Sequence, residues 1–141
     1  MKKIIGLLFF ILFFLHIDNL LYSQEHKHNW IAVCNSDHET WSIDKNFFYC
    51  STGNTVVTFV RIDCLSDCAE NGIYKGKVRS YTREFWKFYI KRRQIVSEEF
   101  MWFFTDGTCS QLFERYNDFD VEPNTVSEEL FNYVVSNNPC K

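Results

Sequence analysis

Glycine and proline are scarce: the 141-residue chain has five glycines and two prolines. That excludes collagen-like and low-complexity classes. No Gly-x-Gly occurs, so neither a dinucleotide-binding turn nor a Walker loop is present. The Gly-x-Ser-x-Gly nucleophile elbow is missing too. Strong charge of one sign is absent; the formal net charge is −3, too mild for a polyanion binder as a whole. Histidine numbers four, and His38-Glu39 runs on into Thr40-Trp41-Ser42 rather than a zinc-protease helix. The acid pairs Glu98-Glu99, Glu128-Glu129 and Asp118/Asp120 read as surface charge. Neighbours on a strand point to opposite faces, whereas a glycosidase needs two carboxylates facing across a cleft. The sequence reads as that of a non-enzyme with no cofactor and no metal.

What is abundant is aromatic: 15 Phe, 7 Tyr and 4 Trp, 18% of the chain. Such a chain is not disordered, and its length predicts one domain. The N-terminus reads as an address. Met1-Lys2-Lys3 is a basic start, Ile4 to Ile17 is apolar apart from Gly6 and His16, and Asp18 to Ser23 is more polar. This order predicts a signal peptide over 1–23, with a membrane anchor as the alternative. The run is short of the ~20 residues a spanning helix needs. A flexible leader, 24–29, and a single domain, 30–141, then follow. The product is expected to be exported: periplasmic, cell-surface or secreted.

Six cysteines lie beyond the apolar run: Cys34, Cys50, Cys64, Cys68, Cys109 and Cys140. An even count in an exported chain predicts three disulfides. Six cysteines allow 15 pairings, and the residues alone do not choose among them. Zinc on Cys64, Cys68 and two of His26, His28 and His38 is the competing arrangement. An oxidising compartment favours disulfides over it.

The mature chain alternates strands and turns. Asn29 to Cys34 reads as a first strand and Glu39 to Tyr49 as a second extended stretch. Ser51-Thr52-Gly53-Asn54 is a turn returning into Thr55 to Ile62, rich in β-branched residues. Asp63 to Gly76 reads as a loop. Tyr81 to Gln94 is read as a strand because aromatics dominate it, although helical spacing is also present. Asp106-Gly107 predicts a type I′ hairpin with a two-residue loop. That register places Phe104 opposite Cys109, Trp102 opposite Gln111, Phe100 opposite Phe113, Glu98 opposite Arg115 and Glu99 opposite Glu114. Thr125-Val126-Ser127-Glu128 is a capping box. Val126, Leu130, Tyr133 and Val134 continue it as a helical stripe, which Asn137-Asn138-Pro139 ends. The predicted fold is α+β: a single antiparallel sheet of five or six strands, one face covered by a C-terminal helix, stapled by disulfides.

Charge is unevenly spread. Residues 75–93 carry eight basic residues against Glu84 alone, while 94–141 carry nine acidic residues against Arg115 and Lys141. A strand edge protected by charge explains such a cluster. So does a docking surface for an acidic partner, with Lys87, Lys91, Arg92 and Arg93 as candidate binding residues. Nucleic acid is not expected of an exported protein.

From Trp30 to Cys140 the chain resembles the surface-adhesin protein E-like family of small exported bacterial proteins. The similarity rests on Trp30-Ile31-Ala32-Val33, Trp41-Ser42-Ile43-Asp44, Thr55 to Arg61 and Phe104-Thr105-Asp106-Gly107. Its most specific part is the ending: Pro123-Asn124-Thr125, then Glu128-Glu129-Leu130 and Cys140. The resemblance implies an antiparallel sheet with a helix and no catalytic residues. It implies, from the family's namesake, binding of host matrix and serum proteins such as vitronectin and laminin. It also implies a disulfide from Cys140 to a sheet cysteine. The usual position before the late hairpin holds Ser97 and Glu98 here, so the implied partner becomes Cys109. The resulting expectation is an exported non-enzymatic binding protein that recognises a host matrix protein or an acidic glycan through a basic strand. A periplasmic or envelope accessory protein is the alternative.

Overall fold

The computed structural model describes residues 27–65 and 73–140. The expected signal peptide, His26, Cys68 and half of the 63–76 loop lie outside them. Eight strands are present: β1 (Trp30–Asn35), β2 (Glu39–Asp44), β3 (Tyr49–Ser51), β4 (Thr55–Cys64), β5 (Ile73–Tyr74), β6 (Lys77–Tyr89), β7 (Gln94–Phe104) and β8 (Phe113–Asp120). Among the described residues one α-helix, α1 (Val126–Ser136), follows the strands. The sheet is an antiparallel meander in the order β1-β2-β4-β6-β7-β8. β2 and β3 share one side of β4, separated by a 3₁₀ turn at Lys45–Phe47, and β5 is a short addition beside β6. No helix among the described residues is long and apolar enough to cross a membrane.

The period-two rule assigns the two faces. In β4, Val56, Thr58, Val60 and Ile62 point one way; Val57, Phe59, Arg61 and Asp63 point the other. The β4–β6 register sets Thr58 opposite Trp86 and Val56 opposite Phe88, and β7 continues the row with Ser97 and Ile95. Helix α1 packs on this side. Its Leu130, Phe131 and Val134 are fully or almost fully buried in one cluster with Ile43, Val56, Val60, Trp86, Phe88 and Ile95. The capping box forms in large part. The Thr125 hydroxyl accepts from the Glu128 amide, and the Glu128 carboxylate reaches back to the Asn124 amide, one residue before the expected one. Phe131, outside the predicted stripe, is 2% exposed. The helix thus buries a broader face than Val126, Leu130, Tyr133 and Val134 alone.

Several local expectations are corrected. The tight two-residue turn is at Lys75-Gly76, where φ is 49° and 78°, between paired Tyr74 and Lys77. At the Asp106-Gly107 hairpin only Gly107 has positive φ (81°), so a type I′ turn does not form. There the Phe104 amide bonds to the Thr108 carbonyl and Phe103 faces Cys109. The Asp106 carboxylate accepts from the Thr108 amide and hydroxyl, which, with Lys77 beside it, lowers its pKa to about 2. Farther along, Phe100 does face Phe113 and Glu99 faces Glu114. Glu98 sits in a bulge and pairs with Lys87 instead of Arg115. Of the expected leader, the structure describes Lys27 to Asn29: the Lys27 carbonyl accepts from Asn46, and Asn29 and His28 both bond to Asp44.

The disulfide expectations change most. Cys140 bonds to Cys50, not to Cys109. α1 delivers Cys140 to the Thr55 end of β4. Cys109 lies beside Phe103, in the row of Tyr81 and Asp63 at the other end of that strand. The rows of Thr55 and Asp63 are roughly 26 Å apart at strand rise. Cys64 is disulfide-bonded, which removes it as a zinc ligand. Among the described residues no cluster of His, Cys, Asp and Glu is arranged to hold a metal. Cys34 and Cys109 are free thiols, so three bridges do not form. Cys34 lies in the row of Trp41, Ile62, Thr82 and Trp102, and Cys109 lies one strand beyond β7, about 24 Å across the sheet at ~4.8 Å per strand. A disulfide tolerates only about 7 Å between Cα atoms. Burial, and then the Glu129 carboxylate, push the Cys34 thiol up to about 11. A thiol kept protonated and buried is unreactive. Alkylation of the native protein is therefore expected to mark Cys109 and spare Cys34, with Cys34 labelled only after denaturation. A Cys34–Cys109 cross-linked peptide in a non-reducing digest would overturn this assignment.

Candidate functional site

Among the described residues no helix packs on the other face of the sheet, and its side chains form a ladder of arginines and rings. It is built from alternate positions of β4 (Phe59, Arg61) and β6 (Tyr81, Arg83, Phe85, Lys87), continued by Met101 and Phe103 of β7 and Trp30 of β1. Tyr81 and Phe103 stack at 4.4 Å with planes 7° apart. The Arg61 guanidinium lies 4.0 Å from the centroid of Tyr81 and 6.0 Å from that of Trp30. Arg83 lies 5.3 Å from Phe59 and 5.2 Å from Phe103. Phe47, from the turn after β2, packs on Phe59 at 4.5 Å, and Phe59 meets Phe85 at 5.5 Å. These side chains are half-buried by one another rather than by a second layer.

Two polar devices hold the ladder still. Arg61 grips Asp63 through two nitrogens in a bidentate pair. On the neighbouring strand, buried Asp44 accepts from the amides of Asn29 and Asn46 and bonds to His28 Nδ1 at 2.5 Å. The His28 ring stacks on Trp30 at 4.9 Å, and its Nε2 faces an Arg83 nitrogen at 3.1 Å. A carboxylate behind a histidine is half of a catalytic triad. Here the third position is a guanidinium, which has no lone pair to activate. The network therefore orients Arg83. Burial raises the pKa of Tyr81 above the usual tyrosine value, keeping its hydroxyl neutral beside the two arginines.

The structure gathers the predicted basic residues at one end of β6 but gives them different work. Lys87 donates to Glu98 at 2.6 Å, and that hydrogen bond raises its pKa. Lys91 and Arg92 are exposed in the 3₁₀ turn Ile90–Arg92, with Arg92 5.8 Å from Tyr89 on the open face. Arg93 adopts a left-handed conformation, φ 50°, pairs with Glu128 at 3.4 Å and lies 5.4 Å from Phe131. It ties the turn to α1. Arg61 and Arg83 were not among the predicted binding residues; the signal that could have found them is the alternation of arginine and aromatic residues at period two in β4 and β6. The His28–Asp44 bond spans 16 residues and had no local signal.

No family model matches the sequence, and no curated protein matches it in sequence. Two solved structures of Haemophilus influenzae protein E match it in fold. Crystal form II superposes with a TM-score of 0.61 at 10% identity, covering 77% of this chain and 87% of that one. The other structure gives 0.59 at 9% identity, covering 79% and 87%. At these identities the likeness is one of architecture: the chain has a protein E-like fold, an antiparallel sheet with a C-terminal helix, as its sequence resemblance implies.

Proposed function

We propose that this is an exported, non-enzymatic binding module of the adhesin E-like type, which docks an extracellular protein on the open face of its sheet. The observation that carries this reading is the uncovered ladder of Arg61 and Arg83 among Trp30, Phe59, Tyr81 and Phe103. Aromatic residues and arginine are the residues that dominate protein interfaces. They are pre-ordered here, so little side-chain entropy is lost on docking. Lys91 and Arg92, exposed at the rim, add steering toward an acidic partner or acidic glycan. The protein E-like fold supports the reading.

The test is binding of residues 24–141 to immobilised matrix proteins, vitronectin and laminin among them, and to heparin, at low and physiological salt. Arg61→Ala with Arg83→Ala is expected to weaken protein binding at least ~30-fold, since central interface residues each contribute about 1–2 kcal/mol or more. Lys91→Ala with Arg92→Ala is expected to slow association several-fold and flatten the salt dependence, leaving dissociation nearly unchanged. Lys87 and Arg93 are left intact, because Arg93 supports α1. Wild-type protein that binds none of the panel at either salt would move the assignment to an envelope accessory role.

A further inference from the structure

The helix side of the sheet holds a second feature, independent of the open face. Beside the first turn of α1 is a cleft of about 250 Å³. Three rings line it: Trp41 of β2, Trp86 of β6 and Phe119 of β8. Trp86 lies 5.9 Å from Trp41 and 5.5 Å from Phe119. Among these rings stands Glu84. Its strand position faces Val60 on one side and Phe100 on the other, where the alternation of β6 calls for an apolar residue. Glu84 Oε2 accepts from the Trp86 indole and the Ser97 hydroxyl, both at 2.8 Å. No donor among the described residues reaches its other oxygen. The indole nitrogen of Trp41 is buried without a partner among the described residues. Arg115 and Asn117, facing the same cleft from β8, complete the polar wall.

The cleft thus sets a carboxylate oxygen that no protein donor among the described residues reaches, a guanidinium, an amide and aromatic faces within one small volume. An organic cation would suit the rings and Glu84 but would meet Arg115. An anion would suit Arg115 and meet Glu84. A neutral molecule with one apolar face and a rim of groups that both donate and accept suits every wall at once. That is the chemistry of a pyranose sugar: its C–H face lies on an indole, and its hydroxyls bond carboxylate, amide and guanidinium groups. Drug-sized ligands fill about 300–1,000 Å³, so this smaller cleft takes one ring. We infer that the cleft between Trp41, Trp86, Phe119 and Glu84 binds a single neutral pyranose, such as a terminal residue of a glycan.

The probes are methyl glucoside, galactoside, mannoside and N-acetylglucosaminide, with choline as the cationic comparison, added to residues 24–141. Saturation-transfer NMR and tryptophan emission report binding. At least one glycoside is expected to saturate in the millimolar range and to perturb tryptophan emission. Trp41→Ala, which removes one aromatic wall of the cleft, is expected to weaken it about tenfold or more. Glu84→Gln keeps an acceptor for Trp86 and Ser97 and is expected to weaken the sugar less than tenfold. Phe119→Ala removes the outer ring and is expected to abolish saturation; circular dichroism checks that each variant is folded. Arg61→Ala with Arg83→Ala should leave glycoside binding unchanged, which separates this site from the open face. No glycoside saturating by ~100 mM, or choline binding that Glu84→Gln abolishes, would overturn the sugar assignment.

Discussion

Phe88→Ala is expected to lower the stability of the protein by about 3–5 kcal/mol, the cost of removing a ring from a close-packed core. Phe88 is 0% exposed. It lies opposite Val56 on β4 and Ile95 on β7, in the cluster that Leu130, Phe131 and Val134 of α1 close. Neighbours on rigid strands cannot collapse far into the space left behind. The midpoint of thermal unfolding should fall by about 12–20 °C, at ~4 °C per kcal/mol for a domain of this size. Phe85→Ala, three residues earlier on the same strand, supplies the contrast. Phe85 is half-buried on the open face, touching Phe59 and Phe47, and its loss is expected to cost about 1–1.5 kcal/mol, the scale of an aromatic pair with partial burial. Equal losses for the two variants would mean that both faces are covered, and the docking role of the open face would fall with that result.

Removing the Cys50–Cys140 bridge by Cys50→Ser with Cys140→Ser is expected to cost about 2–5 kcal/mol. The two cysteines are 90 residues apart, so the cross-link closes most of the folded chain into one loop and restricts the unfolded state strongly. The bridge also joins the segment after α1 to β3, beside the turn into β4. Urea unfolding should show a midpoint lower by about 1–3 M at a typical slope, with the far end of α1 exchanging amide hydrogens fastest. Cys109→Ser is expected to change stability by no more than about 0.5 kcal/mol, since its thiol is exposed and unbonded. The opposite ranking, Cys109→Ser costly and Cys50→Ser neutral, would restore the Cys109–Cys140 pairing. Full reduction is a harsher treatment than the double variant, because Cys64 is also disulfide-bonded.

The two candidate surfaces differ in how far sequence reasoning reached them. The eight basic residues between 75 and 93 were visible as charge. Charge alone does not say which of them are spent on neighbours. Lys87 is neutralised by Glu98 because a bulge after Ser97 turns Glu98 toward β6. Arg93 is taken up by Glu128, 35 residues away. Lys91 and Arg92 are left exposed. On the open face the binding character lies in Arg61 and Arg83, whose importance depends on Trp30, Phe59, Tyr81 and Phe103 arriving from four different strands. Glu84 is the sharpest case. In sequence it is the one acid in a basic run; in the fold it is a carboxylate among the rings of the helix side.

By itself the sequence determined the elements. The β-branched run from Thr55, the aromatic run from Tyr81, the capping residues Thr125 and Glu128 and the apolar stripe behind them each act within a few residues, through backbone preference and side-chain periodicity. These local preferences suffice for an antiparallel sheet with a C-terminal helix. Tertiary structure decided which cysteines meet, which sheet face α1 covers and which charges remain unpaired. Each of those depends on the order in which strands pair and the direction in which the helix crosses them. Pairings such as Cys50 with Cys140 or His28 with Asp44 join residues 90 and 16 positions apart, and the burial gained by the whole core selects them.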